Sequence, residues 1–592
     1  MSHPLTHSVH KFYIPVMGTG FTIDTPLKVA KYGISSVVSL VDDVLIEQMR
    51  QRISLESNTP FEAIDKREDD SRARRITSYL NLMNELIEKQ VSELRNSIFE
   101  KGNDLSKYFE MLPDSPLRTM YEKMQTTLDP IERTRLQNLL KDKIQVGGID
   151  VNIMTKLDRA RKVHGEISEQ FSDAMSALRG YAQSKVCSSL VLSAGMNRKL
   201  YSYIAEFGDF FPDESGEMCK RIVLKVSDYR SALIQGKLLA RQGLWVSEFR
   251  IESGLNCGGH AFGGNGTLLG PVLEQFHSEK EKLAEQLQDI WAGAIEKLGH
   301  NVPEEPMSIR VTVQGGIGTA EENEMLEQKY DVDGMGWGSP FLLVPEVINI
   351  DQEHLDKLQT AGENDVHLSG ASPLGVPFWS LKTSTSEEKR LDLIDSGKPG
   401  SKCPKGFLVS NTEFTHAPIC TASRAYQRKK LDELDSSELT NSEREFAEQV
   451  IKDKACICHD LAGSVTVPKG IDPTASTAVC CGPNTVYFSQ IAKLREMVDH
   501  IYGRIQLPLS SDRPHMFLKE LSLHLDRLRA EVEKHKQGLI EVTPKSTQTI
   551  LTNLASGISH YRENLSNAVS NQKEEFMSKL DKLKSELEKI GK

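Results

Sequence analysis

The feature that most constrains the fold is a series of eight short apolar, β-rich segments, most of them separated by helix-like sequence. The segments are FYIPVMGTG, ISSVVSL, GGIDVNIMTKLD, CSSLVLSAG, KRIVLKVSD, VSEFRIESG, IRVTVQGG and DGMGWGSPF. Their apolar runs are nearly continuous, which is typical of strands covered on both faces. Strands that alternate with helices form parallel sheets with right-handed crossovers, and eight such units close a barrel. We therefore predict an α/β protein built on a (β/α)8 TIM barrel, with an open doubly wound sheet as the alternative.

The chain is too long for a barrel alone, because it has 592 residues and a barrel of this type needs about 250. A charged stretch with helical periodicity follows the second strand segment and has almost no strand signal. Sequence rich in Ser, Gly, Pro and Cys follows the last strand, and helix-period sequence dense in opposite charges ends the chain, as a helical bundle or an oligomerisation arm. The predicted parts are the start of the barrel at 1–54, a helical insertion at 55–146, the rest of the barrel at 147–350, a Cys-rich irregular segment at 351–485 and a C-terminal helical domain at 486–592.

Charge and hydropathy patterning exclude several classes of partner. The net charge of −11 at pH 7 argues against nucleic acid, whose binding requires clustered Lys and Arg. No run of about 18 apolar residues is present, and the N-terminal sequence lacks the charged and then apolar regions of a secretion signal. We therefore expect a cytoplasmic homodimer that has no membrane partner and acts on a small-molecule or protein-carried substrate.

Glycines follow the seventh and eighth strand segments. Gly315, Gly316 and Gly318 come after the seventh, and Gly336, Gly338 and Ser339 come after or within the eighth. Glycines at these ends let backbone N–H groups approach a phosphate closely, and the loops after the last barrel strands form a common phosphate site. The alternative is tight strand-to-helix turns without a ligand. The repetition on consecutive strands favours the phosphate site.

A histidine follows the sixth strand segment, in the sequence ESGLNCGGHAFGGNG. Gly258 and Gly259 place His260 at the carboxyl end of that strand, the face on which barrel enzymes hold their active sites. A neutral imidazole has a pKa close to neutral pH and can remove an acidic proton next to a carbonyl or nitro group. The alternative is a histidine that only hydrogen-bonds within its loop.

In their order and wording these motifs resemble the nitronate monooxygenase family, which includes flavin enoyl reductases and dehydrogenase-isomerases of unsaturated fatty-acid synthesis. The resemblance covers residues 11–350. It implies that IPVMGTGFTIDTP places Met17 and Gly18 near FMN, and that IDVNIM places Asn152 against it. It further implies that SGLNCGGHAF delivers Gly258, Gly259 and the catalytic base His260. In QGGIG and GWGS it implies two FMN-phosphate loops, formed by Gly315, Gly316, Gly318, Gly338 and Ser339.

Two departures from the family pattern leave the substrate open. Asn256 and Cys257 stand where the family usually carries Glu and Ala, and the helical insertion after the second strand is unusual. The resemblance implies an FMN-dependent oxidoreductase in which His260 acts as general base. For its substrate we favour an acyl thioester held on a carrier, with the activity of an enoyl reductase or a dehydrogenase/isomerase. The alternatives are a nitronate monooxygenase using FMN and dioxygen, and a non-catalytic interaction protein whose helices are carried on a barrel scaffold.

Six of the nine cysteines fall between Cys403 and Cys481. In a chain without a secretion signal, reduced thiols or metal ligands explain cysteines better than a disulfide framework does. Such a dense group suits an iron–sulfur cluster or structural zinc, and the resemblance favours a 4Fe-4S cluster because some relatives carry one beside FMN. The predicted ligands are Cys420, Cys456, Cys458 and one of Cys480 and Cys481, with His416 or His459 as a nitrogen ligand if the metal is zinc. The alternative is buried free cysteine.

Overall fold

The computed structural model describes residues 8–155, 157–163, 166–193, 195–541, 543–565 and 573–591. Residues 1–7, which begin the N-terminal segment from which a cytoplasmic location is expected, lie outside the described residues. Residue 592, the end of the predicted C-terminal domain, also lies outside them.

Eight parallel strands close into a barrel. They are β1 (Phe12–Ile14), β2 (Ser35–Ser39), β3 (Ile149–Ile153), β4 (Ser188–Leu192), β5 (Lys220–Val226), β6 (Val246–Glu252), β7 (Arg310–Gln314) and β8 (Gly334–Gly336). Each strand pairs with its neighbours along the chain, and β1 pairs with both β2 and β8, which closes the sheet. In this register Tyr13 lies opposite Ser35 on one side and Gly336 on the other. The predicted TIM barrel is confirmed, and each of the eight predicted segments contributes one strand.

Side chains fill the interior of the barrel. Val37, Val191 and Val223 form a buried apolar cluster that is separate from the main core. A polar group adjoins it, in which the Arg250 guanidinium lies 3.8 Å from the ring centroid of Tyr13 and binds the Glu248 carboxylate at 2.7 Å. Because these side chains occupy the interior, the barrel is a packed core and not a pore.

Helices surround the barrel and extend beyond it. Those up to the eighth strand are α1 (Thr25–Val29), α2 (Asp43–Glu56), α3 (Ser71–Asn96), α4 (Asp104–Met111), α5 (Pro116–Thr126), α6 (Pro130–Asp142), α7 (Asp173–Ala182), α8 (Arg198–Ile204), α9 (Tyr229–Ala240), α10 (Leu269–Lys297) and α11 (Ala320–Tyr330). A short antiparallel hairpin, Arg161–Val163 with Glu166–Ser168, precedes α7. The insertion after β2 is helical, as predicted, and contains α3 to α6. Among the described residues, no helix has both the length and the apolar composition needed to cross a membrane.

A buried ion cluster attaches the insertion to the barrel. Asp43, at the start of α2, binds the guanidinium groups of Arg72 at 2.6 Å and Arg75 at 3.0 Å, both from α3. Arg72 also donates to the backbone carbonyls of Leu40 and Asp173. Burial raises the pKa of Asp43, but the adjacent arginines outweigh burial and hold it below its usual range. The first turn of α3 is therefore anchored to the loop after β2 and to the start of α7.

The segment predicted to be irregular contains more regular structure than its composition suggests. Its helices are α12 (Gln352–Thr360), α13 (Thr385–Asp395), α14 (Arg424–Asp435), α15 (Asn441–Lys452), α16 (Ile457–Asp460) and α17 (Gly463–Thr466). An antiparallel hairpin of Val366–Ser369 and Phe378–Leu381, here called the cover hairpin, lies between α12 and α13. Side-chain caps from Ser384, Ser423 and Thr440 begin α13, α14 and α15. Each of these three helices buries a single side chain, namely Ser386, Gln427 and Ile451.

The C-terminal helices pack against the barrel and against one another. They are α18 (Leu494–Ile501), α19 (Met516–Lys536), α20 (Pro544–Asn564) and α21 (Lys573–Ile590). Phe517 of α19 stacks on Tyr561 of α20, with ring centroids 5.0 Å apart. The Glu520 carboxylate accepts hydrogen bonds from the Ser253 hydroxyl at 2.6 Å and from the Leu269 backbone N–H at 2.8 Å. These contacts join α19 and α20 to each other and α19 to the barrel.

Two cysteines form a disulfide. Cys187 and Cys219 immediately precede β4 and β5, and the pairing of Ser188 with Lys220 brings their Cα atoms to 4.5 Å. That separation suits a disulfide. The expectation that the cysteines are reduced or bind metal is therefore wrong for these two, because adjacent parallel strands place them side by side.

Candidate active site

A cavity of about 260 Å³ opens among the loops at the carboxyl ends of the strands. Ten of the eleven residues predicted to bind the cofactor or act in catalysis line it, together with Cys458 and Cys480 from the predicted metal set. The ten are Met17, Gly18, Asn152, Gly258, Gly259, His260, Gly315, Gly316, Gly338 and Ser339. They come from the loops after β1, β6, β7 and β8 and from β3, so only the closed barrel brings them together.

The glycine loops after β7 and β8 form one wall of the cavity. Gly316 has φ +75°, and a Cβ atom on it would lie 1.9 Å from the Asn256 Nδ2 atom. Gly315 has φ +125°, and a Cβ atom there would lie 2.6 Å from the Cβ of Ser253. Within the described residues, the backbone N–H groups of Gly316, Gly338 and Ser339 donate to no protein acceptor. The wall therefore presents free backbone donors where no side chain fits.

Gly318 is the predicted residue that does not line the cavity. Its N–H donates to the Glu322 carboxylate at 2.8 Å, and its carbonyl oxygen lies 2.9 Å from Nε2 of His500. The Arg513 guanidinium fills the space beside it, 2.6 Å from where a Cβ atom would stand. In this structure Glu322 occupies the Gly318 N–H, and the place of Gly318 in the phosphate loop stays a prediction.

The cover hairpin positions His260. The Trp379 N–H donates to the Gly259 carbonyl at 2.8 Å, and the Ala261 N–H donates to the Pro377 carbonyl at 2.9 Å. The His260 ring meets the edge of Phe378 at a centroid distance of 5.0 Å, and its Nε2 lies 2.7 Å from the Ser372 hydroxyl. Ser372 is fully buried. The ring is therefore held from both sides by a segment more than 100 residues away in the chain.

Both residues that depart from the family pattern face the cavity. The Asn256 Nδ2 donates to the Met516 carbonyl at 3.1 Å, which fixes the orientation of the amide. Its Oδ1 is buried and has no hydrogen-bond partner among the described residues. Burial raises the pKa of the neighbouring Cys257 thiol well above its usual range. The Asn256 Oδ1 atom is thus a buried hydrogen-bond acceptor that no donor among the described residues satisfies. Cys257 presents a neutral thiol to the cavity.

Sequence reasoning missed a connected polar chain on the cavity floor. The Lys225 ammonium binds the Glu252 carboxylate at 2.9 Å, and Gln314 Nε2 donates to the same carboxylate at 2.7 Å. The Tyr13 hydroxyl in turn donates to Gln314 Oε1 at 3.1 Å. Lys225, Glu252 and Gln314 all line the cavity. Each stands in the last two residues of its strand, so the rule that barrel sites use strand ends was the signal that could have found them.

The remaining predicted residues complete the rim and floor. The Met17 N–H donates to the Thr22 hydroxyl at 3.2 Å, and Gly18 adopts φ +53° against Phe21. Asn152 Nδ2 donates to the Val191 carbonyl at 3.3 Å. These contacts hold the loop after β1 and the Asn152 amide in defined positions beside the cavity.

The predicted metal ligands do not form a metal site. Cys420, Cys456 and Cys458 lie near one another and near Cys403, whereas Cys480 stands beside Gly18. In the part of the chain that the structure describes, no group of three or more His, Cys, Asp or Glu side chains is arranged to hold a metal ion. Burial raises the pKa of Cys480 to about 12 and raises that of Cys481 further, so both thiols stay neutral. His416 is exposed, and His459 contacts Asp460 and Asp472.

Comparisons with known proteins give only distant matches. No protein-family model matches the sequence, and no curated protein matches it. Among solved structures, the enoyl reductase domain of MlnA from the macrolactin biosynthesis cluster of Bacillus amyloliquefaciens is 14% identical with a TM-score of 0.32, covering 71% of this chain and 88% of that one. A mutant of FabK from Thermotoga maritima is 13% identical with a TM-score of 0.30, covering 75% and 99%.

A third solved structure has a different named activity. Nitroalkane oxidase from Streptomyces ansochromogenes is 10% identical with a TM-score of 0.34, covering 83% of this chain and 95% of that one. None of these similarities is close enough to assign an activity.

Proposed function

We propose that this chain is an FMN-dependent oxidoreductase of the nitronate monooxygenase-like type. The observation that carries the proposal is the convergence of ten predicted residues, from five separate parts of the sequence, on one cavity at the carboxyl end of the barrel. Tight turns without a ligand would not need to share a cavity. A barrel that holds its site on this face matches the general placement of active sites in the fold.

The glycine wall supports a phosphate site for the cofactor. Gly315, Gly316, Gly338 and Ser339 would hold the FMN phosphate through backbone N–H groups, three of which lack a protein acceptor. A side chain at Gly316 would fill the cradle, since its Cβ would collide with the Asn256 amide. Oriented backbone N–H groups of this kind bind anions in proteins.

The polar chain on the floor and the free acceptor on Asn256 suit a flavin ring. When bound, FMN supplies hydride transfer, which no side chain of the protein provides. Lys225 would place a positive charge near a ring system that gains electrons, while Glu252 and Gln314 fix the Lys225 ammonium. The buried Oδ1 of Asn256 would accept a hydrogen bond from the ligand, which would remove the cost of leaving it unpaired.

His260 would act as general base. It lines the same cavity, and the Ser372 hydroxyl and the Phe378 ring hold its imidazole in one orientation. Its role is to take a proton from a substrate carbon acidified by a neighbouring carbonyl or nitro group. The apolar rim formed by Leu374, Phe378 and Leu408 would keep water from the reacting carbon.

For the substrate we propose an acyl thioester, reduced, oxidised or isomerised at its double bond. A second, larger cavity of about 880 Å³ lies on the other side of the cover hairpin, and Trp379 and Gly375 line it. Lys454, Lys519, Arg527 and Lys534 also line it, together with the carboxylates of Glu363, Glu387, Asp453, Asp526 and Glu531, so the lining carries both charges. A space of this size beside the first cavity would hold the long arm of a carrier thioester, whereas a small nitronate has no use for it.

The alternative activity is nitronate oxidation with FMN and dioxygen. A short alkyl nitronate would make no use of the second cavity. The third proposal, a scaffold without catalysis, predicts that the purified chain binds no flavin.

The test is to reconstitute the purified chain with FMN and assay both substrate classes. We expect an enoyl thioester to reoxidise the reduced flavin in the absence of oxygen. We expect little turnover of alkyl nitronates in air. Nitronate turnover in air without any reaction of the thioester would replace the acyl substrate by the alternative. Absence of both activities from a chain that holds FMN would overturn both substrate assignments.

A further inference from the structure

A loop from outside the barrel reaches the two proposed phosphate loops. Its sequence is CCGPN, residues 480–484, and it is here called the CCGPN loop. Cys480 and Asn484, at its two ends, line the cavity, and all five residues are buried. Its cysteines predict a metal site that is not formed within the described residues. The function proposed above gives the loop no role.

The middle of the CCGPN loop lies against the loop after β8. A Cβ atom on Gly482 would overlap the hydroxyl oxygen of Ser339 and would lie 3.1 Å from the backbone nitrogen of Gly258. A side chain at position 482 would therefore push the CCGPN loop away from Ser339. Because Ser339 belongs to the proposed phosphate loop after β8, the CCGPN loop is in direct contact with that loop.

The end of the CCGPN loop is tied to the loop after β7. The Asn484 side chain donates from Nδ2 to the Ile317 carbonyl at 2.9 Å, and its Oδ1 accepts from Nε of Arg513 at 3.0 Å. The Arg513 guanidinium in turn donates to the Gly316 carbonyl at 2.8 Å. These hydrogen bonds fix Asn484 beside the proposed phosphate loop after β7. The CCGPN loop thus bridges both phosphate loops.

The backbone of the CCGPN loop carries two unpaired donors. Among the described residues, the N–H groups of Gly482 and Asn484 donate to no protein acceptor, although both residues are buried. Buried backbone N–H groups without a partner are rare in native proteins, because each has lost its hydrogen bonds to water. These two donors adjoin the glycine wall, which has three unpaired N–H groups of its own.

The sequence of the loop suits the binding of an anion by the backbone. Gly482 allows the close contact with Ser339. Pro483 has no N–H and so leaves no further donor unpaired. The Thr485 N–H donates to the Gly482 carbonyl at 3.1 Å, which closes a turn around the two donors. Successive backbone N–H groups in a turn form anion-binding concavities.

We propose that the CCGPN loop is a third phosphate loop of the flavin site, which rests on the proposed function. The backbone N–H groups of Gly482 and Asn484 bind oxygens of the FMN phosphate, alongside those of the glycine wall. A phosphate has three strong acceptor oxygens and can accept hydrogen bonds from all three loops. Cofactor binding therefore depends on a segment that follows the last barrel strand by more than 100 residues.

The first experiment compares the dissociation constants of FMN and of riboflavin, which lacks the phosphate. Gly482→Ala should weaken FMN binding about tenfold or more, the worth of one hydrogen bond to a charged group, and should change riboflavin binding little. Gly463→Ala is the matched control. A Cβ atom on Gly463 would overlap the Ser476 carbonyl oxygen, but Gly463 is not among the described residues that line the cavity. Equal weakening of FMN binding in both variants would overturn the proposal.

A second pair of variants adds a charge while keeping the side-chain shape. Asn484→Asp places a carboxylate beside the phosphate and should weaken FMN binding while sparing riboflavin. Asn323→Asp is the matched control, because the buried Asn323 amide also donates to a carbonyl, that of Ile501, and accepts from a side-chain N–H, that of Trp337, both at 3.1 Å. Asn323 is not among the described residues that line the cavity. FMN affinity that is equal in the two variants would overturn the proposal.

Hydrogen exchange examines the two backbone donors directly. In the parent chain, saturation with FMN should slow the exchange of the Gly482 and Asn484 amides, because each gains an acceptor. Saturation with riboflavin should leave both amides exchanging as they do in the flavin-free chain. Equal protection of the two amides by both flavins would overturn the proposal.

The outcomes separate the CCGPN loop from the flavin function. A parent chain that binds neither flavin would overturn the proposed function and the third phosphate loop with it. A preference for FMN over riboflavin that is lost in Gly316→Ala but kept in Gly482→Ala and Asn484→Asp would overturn the third loop alone. Loss of the preference in all three variants, with both controls unchanged, is the result that we expect.

Discussion

At the scale of single residues, the candidate site depends on positions where a Cβ atom has no room. Gly316 combines φ +75° with a projected contact of 1.9 Å to the Asn256 amide. We expect Gly316→Ala to lower FMN affinity at least tenfold, because the methyl group enters the phosphate cradle and displaces Asn256. The dissociation constant, measured by quenching of flavin fluorescence, tests this.

The matched control for this change is Gly375→Ala. Gly375 has φ +72°, but nothing lies within 4 Å of a Cβ atom placed on it. Both variants carry the same backbone strain, so only the collision distinguishes them. Equal loss of FMN affinity in the two variants would contradict the cradle.

His260 carries the second prediction at this scale. His260→Ala should bind FMN as the parent does and lose about 10²- to 10⁴-fold in turnover, which is the usual contribution of a general base. Ser372→Ala should show a smaller loss, because Ser372 only orients the ring through Nε2. Steady-state turnover and the flavin spectrum of each variant give the comparison. Unchanged turnover of a proven substrate by His260→Ala would remove its assigned role.

The residues that the sequence reveals at this scale are those within contiguous motifs. His260 and the glycines after β7 and β8 stand in short runs whose chemistry can be recognised locally. Ser372, which contacts His260, and Asn484, which lines the cavity, could not be found in this way, because both stand in loops far along the chain from any barrel strand. For Gly318, the glycine run does not reveal that the Glu322 carboxylate accepts its N–H in this structure.

At the scale of elements, the ion cluster between α2 and α3 should dominate the attachment of the insertion. Arg72→Met removes one partner of the buried Asp43 carboxylate and leaves it with Arg75 and Arg161. We expect the free energy of unfolding to fall by about 3 kcal/mol, the low end of the cost of breaking a buried ion pair. Denaturation in urea measures the change.

Arg67→Met is the control, because Arg67 pairs with Asp65 on the surface and its side chain is 84% exposed. It should leave stability unchanged, as is common for exposed ion pairs. A loss in Arg72→Met no larger than that in Arg67→Met would mean that the cluster does not anchor the insertion.

Glu520 should make the contact between α19 and the barrel depend on pH. Burial raises its pKa from 4.5 to about 7, although the hydrogen bond from Ser253 opposes the shift. The folded state binds this proton more tightly than the unfolded state, so the contribution is complete below about pH 4.5 and is lost as pH rises through 7. The total change amounts to about 3 kcal/mol.

Glu520→Gln imitates the protonated carboxyl group and should remove that dependence. Relative to the parent, the variant should gain stability as pH rises from 5 to 8, with little difference at pH 5. Urea denaturation of both proteins across this pH range isolates the contribution of Glu520 to stability, because both proteins contain the same buried histidines. A stability difference that is constant with pH would show that Glu520 does not titrate in this range.

Strands and helices could be predicted from sequence where their burial produces a recognisable pattern of apolar residues. The barrel strands are covered on both faces, so their sequences are nearly continuous apolar runs. All eight could therefore be located in the sequence. Helices α13, α14 and α15 lie largely exposed, and their side-chain caps are a weaker signal than periodicity. The disulfide between Cys187 and Cys219 depends on the register of β4 and β5, which becomes visible only when the sheet is assembled.

At the scale of the whole molecule, the segments after β8 complete the site that the barrel begins. The cover hairpin holds His260, α16 brings Cys458 to the cavity, and α19 supports the Asn256 amide through the Met516 carbonyl. These contacts join residues more than 100 positions apart, and no local sequence pattern encodes them. The barrel and most of the residues that line its cavity could therefore be predicted from sequence, whereas the later segments that cover the cavity could not.

The measurement that tests the central claim most directly is the FMN content of the natively purified chain, with FMN added back where it is missing. We expect about one FMN per chain, a visible flavin spectrum, and loss of both in Gly316→Ala but not in Gly375→Ala. A correctly folded chain that neither retains FMN nor binds it on addition would contradict the account.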